Sequence, residues 1–455
     1  MGNSGVIPIE ETSLFFGFLL FWEVFKHLFF FNLSLKENIV MSITIVPASR
    51  FLGIVCLVMS VSLLSGCSKQ DTVTPPVTPN PGGGNPPIVS PIPKTPPAIA
   101  YPADNKPLDI NAEIELGRHL FFDKQMSVDG STSCASCHQP HNGFSDVFPV
   151  STGMQGQHGT RNAPTLTNVA FNSAFTWDGK FPSLEKHAPG PMFNSLEMGN
   201  NFTNGQDSSG ADTVSNGYNS KPGNNDTLFL FARLDGNQNS RVVHQADPYS
   251  KRTDVNGSNY YGLLMAAWGD PTFSLDHIAK SIAAYERTFV STSTPFDRYN
   301  AGDQTAMNSY ALHGFQLFID QSGANCVSCH SGYNFTDQQF HNNGGAAPST
   351  TDIGRASITK QDSDKYKFKT PTLRNVSLTK PYFHNGSVDA SSATQALNAV
   401  VSNYNKGGVH SANQDTRIKP LNLSDQDVSD IVEFLNELKD SGFGYDQRSM
   451  SPWGN

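Results

Sequence analysis

Two short stretches carry the strongest chemical signal in this 455-residue chain. Cys134-Ala-Ser-Cys137-His138 and Cys326-Val-Ser-Cys329-His330 share one spacing, with a histidine directly after the second thiol of each pair. Thiols so spaced add to the two vinyl groups of haem, and the adjoining histidine is then forced beneath the iron as its proximal ligand. Each stretch therefore reads as a covalent attachment site for haem c. A four-cysteine zinc site or a thioredoxin-like dithiol is the competing reading. Zinc has no need of a histidine after both pairs, and the dithiol lacks its βαβ surroundings here. Two covalent haems exclude hydrolysis and phosphate chemistry. They leave electron transfer alone, or electron transfer joined to peroxide or oxygen chemistry. The second face of each iron decides: closed by a strong ligand it only passes electrons, and open it binds peroxide.

The elements that must hold these motifs occur twice. Gly117-x-x-Leu120-Phe121-Phe122-Asp123 matches Gly314-x-x-Leu317-Phe318-Ile319-Asp320, and each leads through a loop into a cysteine motif. Pro164-Thr-Leu-Thr-Asn168-Val169 and Pro371-Thr-Leu-Arg-Asn375-Val376 follow, then Trp177-Asp178-Gly179 and His384-Asn385-Gly386 at one common interval. Equal internal spacing argues for two copies of one structural unit. Glu113–Phe122 and Gln304–Ile319 read as the helices leading into the motifs. Ser274 caps a helix with Ile278, Ile282, Tyr285 and Phe289 on one face, and Ser424 with Asp427 opens another carrying Val428, Ile431, Val432, Leu435 and Leu438. Strand patterns of any length are absent. The expected fold is mainly α: two tandem cytochrome c-like haem domains with long loops, over 101–300 and 301–445, with a tail at 446–455.

Composition bounds the rest. The chain is net acidic, at −9, without a Lys/Arg block, which argues against nucleic acid as a partner. Of the remaining cysteines, Cys56 lies in residues 1–66, read as an export leader, and Cys67 directly follows it. Arg50, an apolar run over 51–64 and the ending Leu64-Ser65-Gly66-Cys67 resemble a bacterial lipobox, with cleavage before Cys67 and lipid on its sulfur. An ordinary signal peptide or a membrane span is the alternative, and Met41 is a candidate for the true start. Residues 67–100 are proline-rich and read as a semi-rigid stalk or linker, placing the body on the periplasmic side of a bacterial membrane. The stretch 199–259 is rich in Asn, Gly and Ser, with an apolar island at 228–231, and reads as a surface insertion.

Taken jointly, ELGRHLFFD (115–123), SCASCH (133–138), TRNAPTLTNVAF (160–171), FTWDGKFPSLE (175–185), GPMFNSLEM (190–198), CVSCHSGYNF (326–335) and PTLRNVSLTKPYFHNGS (371–387) resemble the bacterial di-haem cytochrome c peroxidase family, which includes MauG-type enzymes. The resemblance implies an N-terminal peroxidatic haem and a C-terminal haem that receives electrons from a small cytochrome c or cupredoxin. It implies hydrogen peroxide as substrate and allows a homodimer. It points to Glu197 as the catalytic carboxylate. Heterolysis of peroxide needs a group that takes the proton from the near oxygen and returns it to the far one; a plain loop carboxylate is the bland alternative. Trp177 matches a tryptophan between the haems, a relay or simply a packed ring. Asn162, Thr379 and Pro381 match positions that hold a calcium ion between the domains, where carbonyl oxygens suit a hard cation.

The chain departs from the family in three places. His187 stands where a glutamine is usual, and is expected to be a hydrogen-bonding member of the pocket, with iron ligation or acid/base work as alternatives. Met154 stands where a removable distal histidine is found, and His158 is out of register, so the N-terminal haem is expected to rest open unless Met154 ligates it. Tyr404 aligns with the distal ligand of the C-terminal haem, a Met in typical peroxidases and a Tyr in MauG-type enzymes; a helix-end role is equally open. Ala324 replaces the surface tryptophan that MauG uses before its second motif. A di-haem peroxidase is the leading reading. The alternatives are a MauG-like oxidase of an organic or protein substrate, and a pure electron-transfer dihaem cytochrome.

Overall fold

The computed structural model describes residues 88–200, 226–236, 246–248, 250–409 and 411–454. The leader with Cys67 and Met41, and much of the insertion, lie outside the described residues.

Among the described residues, seven helices of nine residues or more dominate: α1 Ile110–Phe122, α2 Asp226–Leu234, α3 Tyr260–Trp268, α4 Leu275–Glu286, α5 Ser309–Ile319, α6 Ala393–Asn405 and α7 Asp425–Asn436. The β structure among the described residues comprises one antiparallel ladder, β1 Phe340–His341 with β2 Phe368–Lys369, in which Phe340 faces Lys369, and a few isolated bridges. Helix starts follow ordinary capping chemistry: Asp109, Ser274, Asn308 and Ser424 each accept a backbone N–H of the first turn through their side chains. Asn308 also explains why α5 opens at Ser309, five residues after the expected Gln304.

The repeat is visible as two crossed helix pairs. In one, α1 lies on α4 with Gly117 directly under the Ser281 carbonyl; in the other, α5 lies on α7 with Gly314 under the Asp430 carbonyl. A Cβ at either glycine would sit well inside van der Waals contact with that carbonyl, so only glycine lets the backbones approach this closely. Around the first pair pack Leu116, Leu120, Ile278 and Ile282; around the second, Phe315, Phe318, Ile431 and Phe434.

The two buried asparagines of the repeat, Asn168 and Asn375, lock each pair to its motif loop. Both take left-handed backbone, φ 56° and 59°. The Asn168 N–H donates to the Phe289 carbonyl (2.8 Å) and its side-chain oxygen accepts from Ser291 N–H (2.7 Å). Asn375 does the same with Leu438 (2.9 Å) and Asp440 (2.7 Å). Asparagine tolerates this backbone region better than most residues and brings its own acceptor.

Two regions differ from expectation. The apolar island of the insertion belongs to α2, and Leu230, Phe231 and Leu234 are buried in the N-terminal core, with Phe231 stacked on Phe273 at 5.4 Å. A helix of nine residues gathers apolar side chains that flanking Asn and Gly conceal in composition. The end of the proline-rich stretch is docked: Ile92 is buried in the C-terminal core, Asn300 donates to its carbonyl (3.1 Å), and Arg287 Nε donates to the Ala100 carbonyl (2.9 Å). A Gly314→Ala variant should lose about 1–3 kcal/mol through overpacking against Asp430, read as a lowered midpoint in thermal unfolding.

Candidate functional site

Each cysteine motif closes one turn of helix and hands its histidine to a carbonyl. In the first, His138 N–H donates to the Cys134 carbonyl (2.8 Å), and the ring nitrogen Nδ1 lies 2.9 Å from the Phe144 carbonyl. In the second, His330 N–H reaches the Cys326 carbonyl (2.8 Å) and Nδ1 lies 3.0 Å from the Phe335 carbonyl. A carbonyl only accepts, so Nδ1 carries the proton in both rings and Nε2 keeps its lone pair. That is the tautomer a metal ligand needs. Burial holds both imidazoles below their ordinary value, which keeps them neutral. The carbonyls are aimed by unusual backbone: Phe144 and Phe335 sit at φ 55° and 50°, held there by core packing, Phe144 stacked on Phe289 at 3.8 Å.

The four thiols are free. Burial pushes Cys137 up to about 11 and Cys326 to about 12, so they stay protonated thiols rather than metal-seeking thiolates. The two pairs do not gather into a four-cysteine zinc site. Among the described residues the metal-spaced cluster is Cys329, Asp337 and His341, whose imidazole is already committed to Asp337 (2.9 Å) and Asp415 (2.8 Å). Two buried thiols with a neutral, Nε2-free imidazole, repeated twice, fit haem c: Cys134, Cys137 and His138 would hold one group, Cys326, Cys329 and His330 the other.

Glu197 stands at the N-terminal cradle on a clamped loop. Its Oε1 accepts from the Asn194 amide (2.6 Å), its carbonyl accepts from Met154 N–H (2.7 Å), and Gly153 lies against its backbone. Burial lifts its carboxyl above the ordinary glutamate value against the Asn194 bond, and its charge in turn helps raise both Cys134 and Cys137. His187 ends the short helix Leu184–His187, capped by Ser183, with Phe175 and Phe181 flanking its ring. Burial pulls its imidazole down to about 4, with His138 and Lys180 adding to the shift, and its buried Nδ1 has no hydrogen-bond partner among the described residues. The imidazole is thus felt at His138 and the carboxylate at the two thiols of the same motif. Met154 is buried with its sulfur lodged against Gly199, engaged by the Glu197 loop, and His158 is exposed beside Thr152.

At the C-terminal cradle, near the end of α6, the Tyr404 hydroxyl accepts from the Asn343 amide (2.7 Å). Burial lifts the phenol to about 12, with the charges of Cys326 and Cys329 adding, so it faces that cradle. Trp177 is hydrogen-bonded to segments of both halves. Its indole N–H donates to the Asn162 carbonyl (2.9 Å), while Asn162 N–H donates to the His384 carbonyl (2.7 Å) and Lys369 N–H to the Trp177 carbonyl (2.7 Å). His384 in turn stacks on Phe368 at 3.7 Å. Of the three residues matched to calcium, Asn162 is buried and donates its amide to the Phe148 carbonyl (2.7 Å), and the Thr379 hydroxyl donates to the Val376 carbonyl (3.1 Å). Pro381 is buried nearby on the same strand of chain as His384. Sequence reasoning passed over the roles of Phe144, Phe335 and Lys369, since a lone Phe or Lys has no periodic signature; the two phenylalanines follow their motif histidines by six and five residues, an offset too unequal to read as a repeat.

Residues 111–305 match the family model for di-haem cytochrome c peroxidase and residues 311–439 that for cytochrome c. The chain is 32% identical over 361 residues to the methylamine utilization protein MauG of Methylophilus methylotrophus, covering 79% of this chain and 91% of that protein. It is 32% identical over 331 residues to the cytochrome c551 peroxidase of Pseudomonas aeruginosa, covering 71% and 78% respectively. A solved MauG-like protein associated with microbial copper homeostasis superposes with a TM-score of 0.63 at 26% identity, over 80% of this chain and 98% of that one. Replacing Cys134 and Cys137 by serine should halve the covalently bound haem, counted by intact-mass spectrometry. The doubled attachment chemistry, the two matching cradles and these relatives agree: the chain belongs to the di-haem cytochrome c peroxidase family of oxidoreductases.

Proposed function

We propose that the protein reduces hydrogen peroxide to water at its N-terminal cradle, using electrons from a small periplasmic redox protein, a cytochrome c or a cupredoxin, that enter at the C-terminal one. The observation that supports this reading is a buried carboxylate, Glu197, whose charge reaches both thiols of the N-terminal motif, with the buried neutral His187 near His138. When bound, the N-terminal haem supplies the redox-active iron for peroxide, and the C-terminal haem holds electrons for it.

Reduction of one peroxide consumes two electrons and two protons and yields two waters. Glu197, ionised, takes the proton of the nearer oxygen and returns it to the farther one as the O–O bond breaks, so that oxygen leaves as water. Asn194 fixes the carboxylate by donating to Oε1. His187 is uncharged and its free Nδ1 gives peroxide or water a hydrogen-bond partner without adding a cation beside the iron. Trp177, hydrogen-bonded to Asn162 and Lys369, spans the route between the cradles. A pure electron carrier has no use for a carboxylate and an imidazole at its iron, which argues against that class. Calcium at Asn162, Thr379 and Pro381 would draw on residues of both repeats and so brace the interface. A lipid on Cys67 would hold the body at the periplasmic face of the membrane, and pairing into a homodimer is compatible with the family.

A second reading, a MauG-like oxidase acting on an organic or protein substrate, is favoured by Tyr404. A tyrosinate ligand would lower the C-terminal haem's potential and favour higher oxidation states. The buried Ala324 in place of a surface tryptophan weighs against a protein substrate.

Because burial lifts Glu197, its base form is lost at a higher pH than for a free glutamate. Peroxidase kcat/KM should therefore fall as pH drops through that raised value. Glu197→Gln should remove this acid limb and cost about 10²–10⁴-fold at the plateau, measured by steady-state donor oxidation; full activity in the variant would sink the assignment. Tyr404→Met should change the C-terminal haem's absorption and raise its potential if the phenol ligates, and leave both untouched if Tyr404 only ends its helix.

A further inference from the structure

Lys369 is a largely buried cation: the residue is 9% exposed, and its ammonium makes no hydrogen bond or ion pair among the described residues. An ammonium set this deeply is poorly solvated and favours an anion beside it. The acid whose charge reaches it, Asp337, is already engaged by His341 (2.9 Å) and by Gln339 N–H (2.9 Å). The other cations of this region are satisfied. Arg374 forks onto Asp297 (2.9 and 2.8 Å), Arg161 onto Asp352 (2.8 and 2.7 Å), Arg417 onto Asp415 and the Ser328 carbonyl, and Arg355 onto the Asp178 and Gly179 carbonyls.

Its place in the fold narrows which anion it would meet. Lys369 lies in β2, bound through its N–H to the Trp177 carbonyl, and two residues later the Pro371 carbonyl faces the His330 ring. Asp337, the acid it senses, is itself hydrogen-bonded through its N–H to the Cys329 carbonyl (2.8 Å). The lysine therefore stands between the Trp177 segment and the C-terminal attachment motif. Haem carries two propionate carboxylates that a buried cradle must neutralise.

We propose that Lys369 is the counter-ion for a propionate of the C-terminal haem, and that its N–H on the Trp177 carbonyl holds that carboxylate and the indole in one fixed register. The inference rests on haem occupying that cradle. Burial draws the lysine down to about 8, with Asp337 opposing, so at neutral pH it is still mostly charged and able to pair. A fixed positive charge beside the propionate stabilises the reduced haem, so Lys369 is a positioning residue that raises the potential of the electron-receiving site.

The test uses the full holoprotein with Lys369→Met and Lys369→Arg, haem content by pyridine haemochromogen and both potentials by spectroelectrochemistry. The expected result is two haems in every form, a lowered C-terminal potential in K369M, restoration in K369R, and an unmoved N-terminal potential. A C-terminal potential unchanged in K369M, or a shift confined to the N-terminal haem, overturns the proposal. Fewer than two haems in the wild type would instead overturn the cradle reading itself. If K369M does not accumulate, K369Q removes the charge while keeping a polar head and is read in the same way.

Discussion

Each half of this molecule hangs on one hydrogen bond, from the Nδ1–H of a motif histidine to a phenylalanine carbonyl, 2.9 Å in the first and 3.0 Å in the second. The bond sets the tautomer, and so decides that Nε2 is the free ligand. It can form only because Phe144 and Phe335 accept a left-handed backbone, which costs a non-glycine residue about 1–2 kcal/mol. The cost is offset by the rings themselves. Phe144 is wedged among Phe121, Phe289 and Phe443, and Phe335 among Phe296, Phe318 and Phe434. The helix pairs that make those cores, crossed at Gly117 and Gly314, thus act on the iron ligand at one remove: the core holds the ring, the ring holds the backbone, and the backbone holds the histidine.

What the sequence made legible follows from how strictly chemistry constrains residue type. Thioether attachment demands two thiols and a histidine at one spacing, so both cradles could be read directly. The capped amphipathic helices could be read too, because Ser274 and Ser424 announce starts and the apolar period announces faces. Glu197, His187 and Tyr404 came only through resemblance, since one carboxylate or imidazole among many has no pattern of its own. In the structure the charge of Glu197 reaches the N-terminal thiols, His187 is felt by His138, and Tyr404 lies within electrostatic reach of the C-terminal thiols. The start of α5 was misread because Gln304 is a good helix former, whereas the Asn308 cap overrides propensity. Helix α2 was hidden by its Asn- and Gly-rich flanks, and Lys369 and the two phenylalanines depend on tertiary placement that one-dimensional reading does not carry.

The two repeats are alike in their turns as well as in their cradles. Phe175 bridges to Phe181 around Trp177, and Tyr382 to Val388 around His384; Thr176 and Phe383 sit at φ 70° and 67°, and Gly179 and Gly386 at 67° and 62°. Equivalent loops from the two halves therefore converge on a single residue, Asn162, which receives the indole of one and the backbone carbonyl of the other.

Asn162 meets the two loops through two different peptide groups: its carbonyl, shared with Ala163, takes the Trp177 indole proton, and its N–H, shared with Arg161, gives to the His384 carbonyl. Two turns of one shape thus play unlike parts at this residue, one binding it through a side chain and the other through its main chain. A change of the ring at 177 would break one of the two ties and leave the other, whereas the tie from the His384 turn is indifferent to the side chain that turn carries.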